Sequence, residues 1–363
     1  SVARILTSFE NVITKHIYLK MSNQEILYSE SISIRNLPTN FNHADLRLFE
    51  HELKKSIPAT TLLHFADFSV NTAGIIFRGS KVLPESFPDP RFLDDWAGLK
   101  AKLKIGVINF LLKHHKMIDR DVFWITDTWS KNYFHWMTDA LPRLFTIREK
   151  IKNETLLLPG AYSRLEYVRS SLKPFFIREV QYLHETFRCK KLIMPTRTAI
   201  SGNYNENVIR GLRSLYADYY ENACSDHSCN KVYISRGKAQ IRKIANEEEC
   251  VAIMEEYGFK TIYFEEHSLE QQIAIALDAQ YMISNHGGGL TNILFMKSGS
   301  SVLELRQSGD SHNNCYFSLA SALYLKYYYQ LCQSENPDED AHTANLIVDC
   351  RRLRKNIEQI LAN

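Results

Sequence analysis

The clearest pattern of apolar and polar positions begins at Lys231 and alternates regularly to Arg306. "KVYIS", "KTIYF", "QYMISN" and "SVLELR" are short apolar runs rich in β-branched and aromatic residues, and each reads as a buried strand. Between them "NEEECVAIMEEYGF" and "SLEQQIAIALDA" repeat apolar positions at helical spacing, and "LTNILFM" reads as the start of a further helix. Both long helices open on a box-like signal: Asn246 precedes Glu249 by three and Ser268 precedes Gln271 by three. Strand and helix in alternation predict a parallel α/β unit.

The first half repeats the theme less cleanly. "VFWIT" (122–126), "TLLLP" and "KKLIMP" are expected strands, "RLEYVRSSL" an expected helix, and the stretch after "VFWIT" a helix interrupted near Pro142. Before them, short strands and turns such as "TAGIIFRG" and the cluster Pro84, Pro88 and Pro90 predict a small β-rich addition. The helix 206–222 leads into the polar "ACSDHSCN", whose composition marks a linker. The fold class expected is therefore α/β, with two Rossmann-like domains facing a cleft: 1–222, carrying the β-rich part, and 230–335. "ENPDEDAH" is a loop, and 340–363 carries a last helix, about 343–361, with Leu346, Ile347, Leu353, Ile357 and Ile360 on the side that packs back on the body.

At 363 residues the chain exceeds what one hydrophobic core usually serves, which agrees with two domains. A 45% hydrophobic and 23% charged composition belongs to a globular chain, and a net charge of +3 excludes a general basic field, so no nucleic-acid partner is expected. The basic run Arg351, Arg352, Arg354 and Lys355 reads as a solvated helix face. Seven scattered cysteines are unlike a disulfide framework and favour a reducing compartment. "CSDHSC", Cys224 to Cys229, has no second pair at zinc-ligand spacing. No run approaches the ~20 apolar residues of a membrane span, and no signal-peptide core is evident at the start given.

Three constellations could carry chemistry. In "NYFHWMTDALPRL" (132–144), His135 and Asp139 share a helix face, where a carboxylate can fix the imidazole tautomer and raise its basicity for a general-base role; the plainer reading is a helix-bracing core histidine. "ISRGKAQIRKIANEE" (234–248) leaves a strand and presents Arg236, Lys238, Arg242 and Lys243, cations suited to a diphosphate, or else a basic surface turn in which Asn246 and Glu247 only cap. "SNHGGGLTN" (284–292) places three glycines between a strand and a helix, where first-turn amides can meet an anion, or where a tight turn is simply needed; it lacks the dinucleotide and P-loop spacings. The Asp-x-Asp pairs Asp119/Asp121 and Asp338/Asp340 are metal-ligand candidates, the first preceding its strand and the second in a polar loop, and with no further oxygen ligands in view a metal-independent reaction without cofactor is expected.

In this order and spacing the three resemble glycosyltransferase family 61, over about residues 60–310: "NYFHWMTDALPRL", the "SR" of Ser235 and Arg236 followed by "RKIANE", and "GGGLTNILFM" followed by "SVLEL". The family includes plant xylan xylosyl- and arabinosyltransferases, animal O-mannose and EGF-domain N-acetylglucosaminyltransferases, and bacterial capsular polysaccharide proteins. The resemblance implies a GT-B architecture and inverting transfer from a nucleotide sugar, usually a UDP-sugar, to a glycan acceptor. It carries donor binding onto Arg236, Arg242, Lys243 and the amides of Gly288, Gly289 and Leu290, with Asn132, Ser235, Asn246, Glu247, Gly287, Thr291 and Asn292 close by and Glu304 toward the ribose or sugar. Gly288 stands where the family often has alanine, a change that keeps the amide.

On this reading His135 is the base and Asp139 its orienting partner, or the carboxylate acts directly, with Asp127 a third candidate. Either His286 or His135 approaches the donor sugar or phosphate. The rivals are a sugar-nucleotide epimerase of the same fold and a non-catalytic glycan-binding or scaffold protein. A bacterial cytoplasmic enzyme at the inner membrane face, peripherally associated, is the expected setting, with the Golgi or ER lumen the alternative in a eukaryote. "YLKYYYQL" (324–331) reads as a buried strand rather than a sugar-binding run.

Overall fold

The computed structural model describes residues 22–79, 81–93, 116–220, 229–310, 312–336, 338–340 and 343–362. The stretch before residue 90 supplies six strands: β1 (Ser22–Tyr28), β2 (Ser31–Ile34), β3 (Lys54–Ile57), β4 (Thr60–Val70), β5 (Ile76–Arg78) and β6 (Lys81–Val82). Then come β7 (Lys116–Phe123), β8 (Thr155–Pro159), β9 (Val180–Leu183) and β10 (Phe187–Pro195). The later set is β11 (Lys231–Ile234), β12 (Lys260–Ile262), β13 (Tyr281–Asn285), β14 (Ser301–Gln307), β15 (Lys326–Ser334) and β16 (Leu346–Ile347).

These strands form two large sheets and a small ribbon of β2 with β3. In the first sheet β9, β8, β7 and β10 lie side by side and parallel, and the early strands extend it antiparallel through β4. In the second, β12, β11, β13, β14 and β15 are parallel, with β16 antiparallel at the edge. Each parallel set has the same property. The first strand in sequence, β7 or β11, is flanked on one side by the next strand and on the other by a later one, β10 or β13. Strand order reverses there, and the loops leaving the carboxyl ends diverge, which opens a crevice beside each switch point.

The sheets share a continuous core. One buried cluster runs from Phe123, Ile125 and Leu156 through Leu212 and Tyr216 of the helix Glu206–Tyr220 to Ile234, Leu290 and Phe295. That helix also donates from Arg213 to the backbone oxygens of Leu323 (2.8 Å) and Met296 (3.3 Å). Its apolar face, with Val208, Ile209, Leu212, Tyr216 and Tyr220 buried at helical spacing, is what places it in that core.

Several local expectations change. The interruption expected near Pro142 takes the form of a π-helical turn: Tyr133–His135 is α-helical, Trp136–Ala140 is π-helical, and Leu141–Ile147 resumes the α-helix with proline in its first turn, where the missing N–H is tolerated. The Ser268–Gln271 capping box is present. Asn246 makes no cap; its side chain donates to Val348 O (2.9 Å) and accepts from Val348 N (3.0 Å), tying on the chain after β16. "LTNILFM" belongs to a 3-10 helix, Gly288–Phe295. Leu346 and Ile347 form β16 rather than the last helix, which spans Cys350–Ala362. Asp119 and Asp121 lie within β7, not before it, and pair with Lys190 and Lys191 of β10. Most of the "ACSDHSCN" segment, with Cys224 and His227, lies outside the described residues. Among the described residues no helix is long and apolar enough to cross a membrane.

Gly211 marks the closest approach of the helices Leu141–Ile147 and Glu206–Tyr220, since a Cβ there would lie 2.4 Å from Phe145 Cζ and 2.7 Å from its Cε1. Gly211→Ala should gain ~1 kcal/mol of helix propensity but lose ~1–3 kcal/mol to overpacking against the buried ring. The expected outcome is a net lower midpoint of thermal or urea unfolding; a raised midpoint would show that the helix pair has slack.

Candidate active site

A cavity of about 490 Å³ opens where the two switch points face each other. From the first sheet it is lined by Trp129, Asn132 and His135 beyond β7 and by Ser201 beyond β10. From the second it is lined by Arg242 beyond β11 and by His286, Gly287 and Gly288 beyond β13. The size is that of a small-molecule site.

His135 and Asp139 occupy the π-helical region, whose i→i+5 turn is wider than an α-turn and brings positions four apart nearly into line. His135 Nδ1 lies 2.8 Å from Asp139 Oδ2, and the Ser201 hydroxyl donates to the same oxygen at 2.8 Å while lying 3.1 Å from Nδ1. An ionised Asp139 holds the proton on Nδ1 and leaves Nε2 as the basic nitrogen. The ring is wedged between Trp129 and Phe134, with centroids 5.0 and 5.1 Å away, so its orientation is set by packing as well as by the carboxylate. Asn132 caps this helix by accepting from Phe134 N (2.9 Å). Asp127 is 5% exposed and spent on its own turn, accepting from Trp129 N and Ser130 Oγ and facing Arg197, so it does not reach the cavity.

On the opposite wall Arg236 and Arg242 lie close together. Burial, and then the charge of Arg242, push Arg236 below the ordinary arginine range, and neither guanidinium has a carboxylate in ion-pair range among the described residues. Arg236 instead donates to the backbone oxygens of Ile241 (3.2 Å) and Arg242 (3.4 Å), and Arg242 Nε is buried without a partner. Arg242 itself has a left-handed backbone, φ 57°, held by Asn285 Nδ2 donating to its carbonyl at 2.5 Å. Gly287 leaves room for the arginine where it stands: a Cβ would lie 2.3 Å from Arg236 Nη1, and the side chain would have to shift. At Gly288 a Cβ would meet nothing within 4 Å, so alanine would fit, while at Gly289 it would lie 3.0 Å from Ile234 Cγ2.

A second histidine–carboxylate pair completes this wall. His286 Nδ1 lies 2.5 Å from Glu304 Oε1, and the Tyr327 hydroxyl donates to Oε2 at 2.5 Å. Burial alone would raise the Glu304 carboxyl, but His286, Arg306 and Tyr327 together outweigh it and hold Glu304 below the usual range. Glu304 is 0% exposed, so it orients His286 and cannot itself meet a ribose or sugar as expected from the sequence.

The remaining candidates stand behind the wall rather than on it. Ser235 Oγ and Tyr233 OH both donate to Glu247 Oε1, at 2.8 and 2.6 Å, fastening the end of β11. Lys243 and Asn246 hold the chain around β16 through backbone and amide contacts. The Leu290 amide is used internally, donating to Gly287 O. Thr291 and Asn292 are fully buried; Asn292 Oδ1 accepts from Tyr133 OH (2.9 Å), a bond that joins the helix of His135 to the glycine loop. Residues the sequence reading passed over are Ser201, Trp129 and the run His312 to Tyr316. Tyr316 OH donates to Gly287 O at 2.6 Å and so fixes the loop; its buried position in an apolar helix gave no hint of this.

Residues 133–303 match the family model described as Glycosyltransferase 61. The chain is also 29% identical over 121 residues to the EGF domain-specific O-linked N-acetylglucosamine transferase of Drosophila melanogaster, a match covering 30% of this chain and 23% of that protein. The aligned part is thus under a quarter of the relative's length. From the helix that carries His135 into the strand that carries Glu304, residues 133–303, just under half of the chain, are thus similar to the glycosyltransferase 61 family.

Proposed function

We propose that the chain is an inverting glycosyltransferase that moves a sugar from a nucleotide sugar, a UDP-sugar by preference, to a hydroxyl of a glycan acceptor. The observation that carries this reading is the pair Arg236 and Arg242, half-buried beside each other with no carboxylate in ion-pair range among the described residues, with Arg242 lining the same cavity as His135, the partner of Asp139. Holding two like charges together in a half-buried site is unfavourable unless an anion completes it. A diphosphate supplies that anion, and the first-turn amides at Gly288 and Gly289 add donors beside it.

The acceptor oxygen attacks the anomeric carbon and its proton passes to His135 Nε2, while the bond from that carbon to the diphosphate oxygen breaks and its electron pair leaves with the nucleotide. Arg242 and Arg236 stabilise the charge that builds on the leaving group, and His286, oriented by Glu304, stands on the same side. Attack and departure on opposite walls invert the anomeric configuration. The two sheets, each contributing the loops beyond one switch point, correspond to the halves of a GT-B cleft with the units 1–222 and 230–335, closed by the segment 340–363. In this scheme the protein's own cations do the work that a divalent metal does elsewhere, so metal is not needed. A membrane-face or lumenal setting, where glycan acceptors are made, suits the activity.

His135→Ala and Asp139→Asn should each lower turnover by ~10² to 10⁴-fold with UDP affinity nearly unchanged. Wild-type rates in both variants would remove the base assignment. Arg242→Ala should weaken UDP binding by roughly 10- to 100-fold, the range of one or two lost charge-assisted hydrogen bonds, and Arg242→Lys should restore only part of it. Equal affinity in parent and variant by calorimetry would place the diphosphate elsewhere. UDP at ~100 times its dissociation constant should stabilise the protein by about 2.7 kcal/mol, read as a higher melting temperature, and the rise should survive EDTA. Loss of the rise with EDTA would bring a metal into the donor site.

A further inference from the structure

We infer that a second groove beyond His135 is the acceptor subsite, and that it takes a pyranose ring stacked on the indole of Trp129; this rests on the reading of the cavity as a transferase site. The groove has a volume of about 450 Å³ and is lined by Thr128, Trp129, Lys131, Asn132 and His135. It shares Trp129, Asn132 and His135 with the main cavity but none of Arg242, His286, Gly287 or Gly288. Trp129, Asn132 and His135 together are therefore the wall between a cationic chamber and one without those cations. In-line displacement needs the incoming hydroxyl on the side of the anomeric carbon opposite the diphosphate, and this groove supplies that side at the base.

Trp129 has the character of a built platform. It is 44% exposed, whereas Trp124 and Trp136 are fully buried. Its backbone is pinned by Asp127 Oδ1, which accepts from Trp129 N at 2.9 Å, and by Asn132 N donating to Trp129 O at 2.9 Å. Its ring is braced by Phe92 at 5.5 Å and by His135 at 5.0 Å. An indole held this firmly and left open to solvent offers a flat apolar face with little ordering entropy still to lose. A pyranose matches it, because one face of the ring presents C–H groups while the hydroxyls project from the rim. Around the indole stand groups that can meet those hydroxyls: the Thr128 side chain, the Lys131 ammonium, and the Asn132 amide nitrogen, whose oxygen alone is used in capping. A bare serine or threonine acceptor would have no use for the platform, so the chemistry selects a sugar already in place.

The test is a titration of UDP-saturated protein with the methyl glycosides of xylose, mannose, glucose and N-acetylglucosamine, read by tryptophan emission and by calorimetry. At least one glycoside should shift the emission, and Trp129→Phe should abolish that optical signal. In calorimetry Trp129→Ala should weaken the same glycoside about tenfold and Trp129→Phe less than about threefold. No emission change with any of the four, or a change that persists in Trp129→Phe, would overturn the subsite. Unchanged glycoside affinity in Trp129→Ala would do the same. A missing UDP shift strikes the donor reading instead, and the same titration on nucleotide-free protein then still decides whether Trp129 holds a sugar.

Discussion

Arg236 and Arg242 repel each other at the end of β11, and much of the surrounding structure can be understood as the means of keeping them there. Neither has a carboxylate in ion-pair range among the described residues, so their position is enforced by backbone oxygens and by shape. Gly287 leaves room for the Arg236 guanidinium, Tyr316 fixes Gly287, and Asn285 holds the left-handed backbone of Arg242. Such an arrangement favours anions, because an anion between the two would offset the repulsion and could meet donors that the protein leaves open.

The rest of the site depends on a fixed distance between that cationic wall and His135. The continuous core beneath both sheets, the Tyr133–Asn292 hydrogen bond and the carbonyl contacts of Arg213 join the two sides. Fully buried polar residues such as Asn292 and Glu304 act one step removed from the ligand: they orient a neighbour and gain specificity of position, since each has its hydrogen-bonding capacity largely met inside the protein. His135 and His286 consequently present similar histidine–carboxylate pairs from opposite walls but in different fields, one beside tryptophan and serine and the other beside two arginines. Environment, more than residue type, separates their roles.

Amino-acid order by itself determined the alternation of strands and helices from β11 to β14, the Ser268 capping box, the parallel α/β arrangement, and three of the segments that line the cavity, because each follows from local periodicity, turn chemistry or the spacing of charged residues. Local reading failed where distant residues compete. Asn246 left its cap for Val348, and Leu346 and Ile347 left a helix for the edge beside β15. Only the tertiary structure decided which members of each motif face the cavity. Of the run from Leu290 to Asn292, all three side chains turn into the core; Ser235 and Glu247 fasten β11; Glu304 hides behind His286. It likewise added Ser201 and Trp129, whose partners lie across the sheet or on the far side of a turn. Periodicity records which face of an element is apolar, but which polar group meets a ligand depends on hydrogen bonds between residues far apart in sequence, and those exist only once the two sheets are packed.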